Sequence, residues 1–310
     1  MKIKTAAILG AGAVGAYLVW GLSEKLGDDL CLVADGPRAE RLRREGLWIN
    51  GQNYKMPVKT PDEAKGVDVL FVTTKYGALR EALDAIEAVT DEHTLVISLL
   101  NGVDSEDIIG ERIGRGQILP ALIKIASERV DNRILFTPET TIGIIYGEDD
   151  PNRGPDRPAA VSELFYGTGI HYRETDVIQS EIWSKFALNI SNNQPQAVIG
   201  CGVGAYEDSE HLAFFSRTLK KEVEAIAAAK GIDISLAAKS AGKGSPVSKR
   251  ARYSTLQDLD AKRHTEVDMF AGAVVRMGKE LGIPTPCNEF MYHAIKALEE
   301  KNDGRFDYRI

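Results

Sequence analysis

The chain has 310 residues, 44% hydrophobic, 27% charged and 7% aromatic, with 29 glycines; at roughly 100–200 residues per domain this allows two domains and excludes the disordered and fibrous classes. Against 45 Asp and Glu stand 38 Lys and Arg, a formal net charge of −7 with no basic run, so the electrostatic footprint of a nucleic-acid or anionic-membrane binder is missing. Three widely separated cysteines, Cys31, Cys201 and Cys287, predict neither a disulfide framework nor a zinc site, and no apolar run approaches the ~18 residues of a membrane span. The apolar stretch after Lys2 and Lys4 runs into a glycine-rich turn where a signal peptide would carry its cleavage site, and a reducing, cytoplasmic compartment is expected.

In chain order, Lys2–Leu9, Leu30–Asp35, Val67–Thr74 and Thr94–Leu100 predict buried strands, because each is a short β-rich run bounded by glycine, charge or polar residues. Between them Ala13–Lys25, Arg38–Glu45, Ala78–Ala88 and Ser105–Ile113 place apolar side chains three and four apart, as helices do, with their charged faces in solvent. This alternation predicts a mostly parallel, doubly wound sheet. Further strands are expected at Arg133–Phe136, Thr141–Gly147 and Gly169–Tyr172, extending the sheet at one edge. A helix is expected at Ala159–Phe165, and an exposed loop at Asp149–Pro158, where Pro, Gly and charges cluster. After about Thr175 long helical segments take over, at Val177–Gln194, Ala205–Lys230, Lys262–Leu281 and Asn288–Glu300. The expected organisation is α/β, with a Rossmann-like domain over residues 1–175 and an all-helical domain over 176–310.

The sharpest motif is Gly10-Ala11-Gly12-Ala13-Val14-Gly15, directly after the first strand and opening the first helix. In a dinucleotide fold the first glycine makes the tight turn and the second lets main chain approach the pyrophosphate. The third lets helix and strand pack closely, and the helix N-terminus supplies N–H donors. The plainer reading is a glycine-rich turn in an unrelated α/β protein; the strand–turn–helix context and an acidic residue after the next strand favour the dinucleotide. That residue is Asp35, 20 positions after Gly15, where a carboxylate hydrogen-bonds ribose hydroxyls and repels a 2′-phosphate. Arg38 offers a guanidinium to such a phosphate, so NAD and NADP both stay open. Lys75 and Asn101 emerge at strand ends, the edge of an open parallel sheet that faces a ligand.

In the helical half, Lys185, Asn189 and Asn193 fall four apart on a segment otherwise apolar at Trp183, Phe186, Leu188 and Ile190. At ~3.6 residues per turn they share one face. Two carboxamides and one amine suit a small polar ligand better than they suit solvent. Ser254 opens Ser254-Thr255-Leu256-Gln257-Asp258, and Glu266 sits near the start of the helix expected at Lys262–Leu281, where helix-dipole placement of a carboxylate is the plainer explanation. His264, in a dense charged neighbourhood and without partners at metal-ligand spacing, reads as a surface histidine. No metal is expected.

Taken together, GAGAVG, Lys75, Asn101-Gly102-Val103, Lys185…Asn189…Asn193, Ser254-x-Leu256-Gln257-Asp258, Thr265-Glu266-Val267-Asp268 and Gly282-Ile283-Pro284 resemble, across nearly the whole chain, the ketopantoate reductase family. The resemblance implies a two-domain NADPH-dependent enzyme that reduces the ketone of 2-dehydropantoate to the alcohol of pantoate, a step toward pantothenate and coenzyme A. It implies Lys185 as general acid, Glu266 as the active-site carboxylate, and Lys75 and Asn101 as cofactor contacts, beside Gly10, Gly12, Ala13, Val14, Gly15 and Asp35 read from the dinucleotide motif. Asn101, Asn189, Asn193 and Ser254 correspond to substrate contacts. The chain departs from the family where an arginine commonly follows the second strand, here Asp35-Gly36-Pro37-Arg38. It also lacks an additional asparagine in the stretch reading Gly200-Cys201-Gly202-Val203. Alternatives are a related 2-oxo-acid reductase on the same scaffold and a non-catalytic dinucleotide sensor, against which the set Lys185, Asn189, Ser254 and Glu266 argues. The expected partner is a small 2-oxo acid, with no nucleic acid and no membrane; a homodimer stays open.

Overall fold

The computed structural model describes the chain except residues 131–132, 151, 241–247, 307 and 309–310. It divides into two compact units, Met1–Ile178 and Gln179–Ile310.

The first unit is built on five parallel strands: β1 (Ala6–Leu9), β2 (Leu30–Val33), β5 (Val58–Lys59), β6 (Val69–Val72) and β7 (Leu95–Ser98), in the order β5-β2-β1-β6-β7. A strand buried on both faces must be apolar nearly throughout; β1, β2 and β6 are so at every position and β7 at all but Ser98. Ala6, Ile8, Leu30, Leu32, Val69, Phe71, Leu95 and Ile97 enter one core together with α1 (Ala13–Leu26) and α2 (Gly36–Glu45). The alternate residues Ala7, Leu9, Cys31, Val33, Leu70, Val72 and Val96 enter a second core with α3 (Leu79–Val89) and α4 (Ser105–Ile113). Strand order reverses between β1 and β6, which puts the switch point of the sheet beside Gly10.

Two smaller sheets were only partly legible. The hairpin β3 (Leu47–Ile49) and β4 (Gln52–Tyr54) joins β9 (Ser127–Val130) and β10 (Arg133–Phe136) in the order β4-β3-β10-β9. A separate sheet contains β8 (Ala121–Lys124), β11 (Gly143–Tyr146) and β12 (Tyr172–Glu174). The expected extension of the main sheet therefore reduces to one parallel bridge, Val96 with Ile118, because the added strands pair mainly with each other. The loop expected at Asp149–Pro158 is also corrected. The helix α5 already begins at Asp156, with Pro158 in its first turn, where a missing N–H costs nothing. Arg157 pins this stretch to the rest of the unit, donating from Nε to Glu148 Oε1 at 2.6 Å and from Nη1 to Gly116 O at 2.6 Å. Pro151 of the expected loop lies outside the described residues.

The second unit is helical: α6 (Ile178–Leu188), a π-helical turn (Asn189–Asn193), α7 (Gln194–Ile199), α8 (Ala205–Asp208), α9 (Glu210–Ala229), α10 (Ser235–Ser240), α11 (Ser254–Asp260), α12 (Ala271–Leu281) and α13 (Pro286–Asn302). The long helix expected from Ala205 breaks at Ser209, whose side chain accepts from Leu212 N and starts α9 afresh. The helix expected at Lys262–Leu281 begins only at Ala271. Lys262 takes a left-handed φ of 54°, and the bonds Lys262 N to Leu259 O and Arg263 N to Asp258 O close the end of α11. No helix among the described residues is long and apolar enough to cross a membrane.

Candidate active site

At the β1–α1 turn the three glycines have different reasons to be glycine. Gly10 takes φ +117°, and a Cβ there would stand 2.6 Å from the Thr73 carbonyl of β6's end; a Cβ on Gly15 would stand 2.0 Å from Gly10 O. Both are packing requirements, reinforced by Thr73 Oγ1 donating to Gly10 O at 2.6 Å. Around Gly12, by contrast, a Cβ would meet nothing within 4 Å. Gly12 is the N-cap of α1 and carries no capping side chain. The first intrahelical bond runs from Ala16 N to Gly12 O, so the amides of Ala13, Val14 and Gly15 precede the ladder. An open cradle of main chain at a helix N-terminus fits a dinucleotide pyrophosphate.

Asp35 is exposed after β2 and caps α2, its Oδ1 accepting from Gly36 N at 2.7 Å. It therefore has a structural task besides any contact with a ribose. Lys75 is exposed just beyond β6, and Asn101 half-buried beyond β7. The two loops are tied together by Tyr76 Oη donating to Asp104 Oδ2 at 2.6 Å. Beneath the Asn101 loop runs a buried chain that the sequence did not single out, in which Ser98 Oγ lies 2.8 Å from Ser105 Oγ and Ser105 Oγ donates to Glu106 Oε2 at 2.8 Å. Glu106, in the first turn of α4, was expected on a solvated face; it is only 7% exposed, and burial pushes its carboxyl pKa up. A surface groove in this unit, lined by Trp20, Lys25, Tyr54 and Met56 among others, lies at the other end of α1 from the glycine turn.

In the helical unit Lys185 and Asn189 are half-buried and Asn193 buried, along α6 and the π turn. The segment was expected to be a single α-helix ending at Gln194; it continues to Ile199 with five residues in π register. Four α-helical residues overshoot one turn, whereas four π-helical residues fall short of one, so the π turn returns Asn193 toward the line of Lys185. Ser254 is exposed and opens α11. Glu266 is half-buried, not in the opening turn of α12 but in the turns preceding it, its carbonyl accepting from Met269 N and Phe270 N. The adjacent Thr265 is anchored by Glu299, 2% exposed, whose Oε1 accepts from both Thr265 N and Thr265 Oγ1 at 2.7 Å. His264 is largely exposed, with Nε2 3.1 Å from Asp303 Oδ1. Glu299, and Gln196, fully buried in α7, are further polar groups that sequence reasoning missed; the bonds of Gln196 run to main chain and leave no side-chain pattern.

A family model described as Ketopantoate reductase PanE/ApbA matches residues 6–145, and one described as Ketopantoate reductase PanE/ApbA C terminal matches residues 177–299. The 2-dehydropantoate 2-reductase of Mesorhizobium japonicum is 28% identical, covering 96% of this chain and 98% of its own. That of Archaeoglobus fulgidus is 27% identical over 96% of this chain and 99% of its own. Among solved structures, a PanE/ApbA family ketopantoate reductase from Ralstonia eutropha JMP134 superposes with TM-score 0.79 at 24% identity, covering 96% of this chain and 99% of that one. A ternary complex of D-mandelate dehydrogenase with NADH and anilino(oxo)acetate gives 0.80 at 22%, with the same coverage of 96% and 99%; these two likenesses concern the fold. With family models matching residues 6–145 and 177–299, well over half of the chain, it belongs to the ketopantoate reductase family and is an NAD(P)-dependent oxidoreductase of the 2-dehydropantoate 2-reductase type.

Proposed function

We propose that the protein reduces 2-dehydropantoate to pantoate, and that Asp35 biases its cofactor choice toward NADH. The observation that carries the substrate is the relationship to 2-dehydropantoate 2-reductases along 96% of the chain. When bound, the dinucleotide supplies the hydride that reaches the ketone carbon. The amides at Gly12, Ala13, Val14 and Gly15 hold its pyrophosphate, Gly10 shapes the turn, and Lys75 and Asn101 contact it from the ends of β6 and β7. Negative charge then builds on the ketone oxygen. The Lys185 ammonium stabilises that oxyanion and gives it a proton, while Glu266 keeps the ammonium charged and oriented. Asn101, Asn189, Asn193 and Ser254 bind the hydroxyl and carboxylate groups of the substrate.

The Asp35 carboxylate accepts from a ribose 2′-hydroxyl and repels a 2′-phosphate; the exposed Arg38 in the first turn of α2 is the group that opposes this preference. Initial rates on 2-dehydropantoate with NADH and with NADPH test substrate and cofactor together. Lys185→Ala is expected to lower kcat by about 10²–10⁴-fold with little change in KM for the dinucleotide. An unchanged kcat would sink the assignment of Lys185. One observation favours a second reading, a 2-oxo acid with a different side chain: Gly200-Cys201-Gly202-Val203 offers no asparagine. Turnover of other 2-oxo acids without turnover of 2-dehydropantoate would select it.

A further inference from the structure

Gln196 has none of its surface exposed, and a primary amide is costly to bury unless both of its ends are bonded. Both are. Its Nε2 donates to Ala251 O at 3.1 Å, and its Oε1 accepts from Tyr253 N at 2.7 Å. These two bonds straddle Arg252 in the way one residue of a parallel strand pairs with its neighbour, so the side chain stands in for a strand. The backbone of Gln196 is itself fixed where α7 ends, its carbonyl accepting from Gly200 N at 2.8 Å, with Gly200 left-handed at φ +74°. The Ala251 carbonyl is shared: Val203 N also donates to it, at 3.0 Å, and Gly204 N donates to Lys249 O at 2.9 Å. That approach needs a glycine, because a Cβ on Gly202 would stand 2.4 Å from Lys249 O. Behind the clamp, Ala197 of α7 packs with Leu256 and Leu259 of α11. The residue that follows the clamped Tyr253 amide is Ser254.

We infer that Gln196 is a positioning residue for the reaction: its amide fixes the backbone at Ala251 and Tyr253 and thereby sets the Ser254 hydroxyl for the keto-acid substrate. This rests on the assignment of Ser254 to substrate proposed above. The segment that shares the Ala251 carbonyl with Gln196 reads Gly200-Cys201-Gly202-Val203 and holds no asparagine. Its glycine at 202 permits a close backbone contact with Lys249, in the turn that leads to Ser254.

A double-mutant cycle tests this. Gln196→Leu removes both bonds and is expected to raise KM for 2-dehydropantoate by on the order of tenfold, the scale of a lost hydrogen bond, with KM for the dinucleotide unchanged. Ser254→Ala raises the same KM, and in that background Gln196→Leu adds less than about twofold, because the group it positions is gone. Full additivity overturns the inference, as does an unchanged KM in Gln196→Leu while Ser254→Ala raises it. An unchanged KM in Ser254→Ala removes the assignment of Ser254 itself, a separate failure. Amide hydrogen exchange over residues 249–256 gives a readout independent of turnover: it accelerates in Gln196→Leu, and unchanged exchange overturns the clamp. Should Gln196→Leu not fold, Gln196→Glu decides. The protonated acid donates to Ala251 O and still accepts from Tyr253 N, whereas the carboxylate turns an acceptor toward that carbonyl. KM for 2-dehydropantoate then stays near the parent value at low pH and climbs as the buried carboxyl ionises; a profile parallel to the parent's overturns the inference.

Discussion

The segments Gly10–Gly15 and Gly200–Gly204 each carry three glycines, and they use them in opposite ways. In the first, the space beside Gly12 is open, and the amides around it point where a ligand phosphate would sit. In the second, the spaces beside Gly202 and Gly204 are filled by Lys249 and Arg250, main chain against main chain and side chain. Glycine density in a sequence therefore marks close approach without saying what approaches. What a Cβ would meet separates glycines packed against the protein, as Gly10 and Gly15 are in the first turn, from one such as Gly12 that leaves space for the proposed pyrophosphate.

Substitutions can break or sharpen this contrast. The largest loss of stability is expected for Gly15→Ala, whose Cβ meets Gly10 O at 2.0 Å; about 3 kcal/mol in denaturant unfolding is the scale of such overpacking, and cofactor binding should fail with it. Gly202→Ala should cost less, about 2 kcal/mol, because the segment around Lys249 can shift; it should raise KM for the keto acid and leave that for the dinucleotide alone. Smaller still is the effect of Glu106→Gln. The buried carboxyl has a raised pKa in the folded state, so its contribution is fully present below the unfolded carboxyl pKa of about 4.3 and is lost as pH rises through the folded value. The variant should melt above the parent at neutral and alkaline pH, with the gap closing toward acid. A gap independent of pH would refute the burial argument. Last, Gly12→Ala, at an ordinary φ of −86°, should change stability by less than about 0.5 kcal/mol while weakening dinucleotide binding by about tenfold or more. If binding is untouched, the open cradle is not the pyrophosphate site and the contrast falls.

The strands β1, β2, β6 and β7 were legible because burial on both faces demands apolar runs, and the glycine motif named the turn between the first of them and α1. The strands β3, β4 and β5 were not, being two or three residues long and held by backbone pairing that a residue such as Gln52 does not announce. Candidate residues were placed on the right elements where periodicity fixed them, as with Lys185 and Asn189 on one helical segment. Glu266 was expected on a helix that in fact starts after it, at Ala271, the stretch from a left-handed Lys262 onward being turns. Gln196 escaped notice because its partners are a carbonyl and an amide, which every residue has.

The π turn at Asn189–Asn193 also bears on how chain length is tolerated here. A π turn is an α-helix that has absorbed one residue more than its length requires, with the surplus confined to a bulge. Deleting one residue inside it would restore regular winding and leave α7, with Gln196, where it stands. The same deletion in α6 would swing everything downstream by about 100° around the axis. The helix that bears Lys185 thus has, in this turn, a place where the gene can lose a codon without dismantling the support of Ser254.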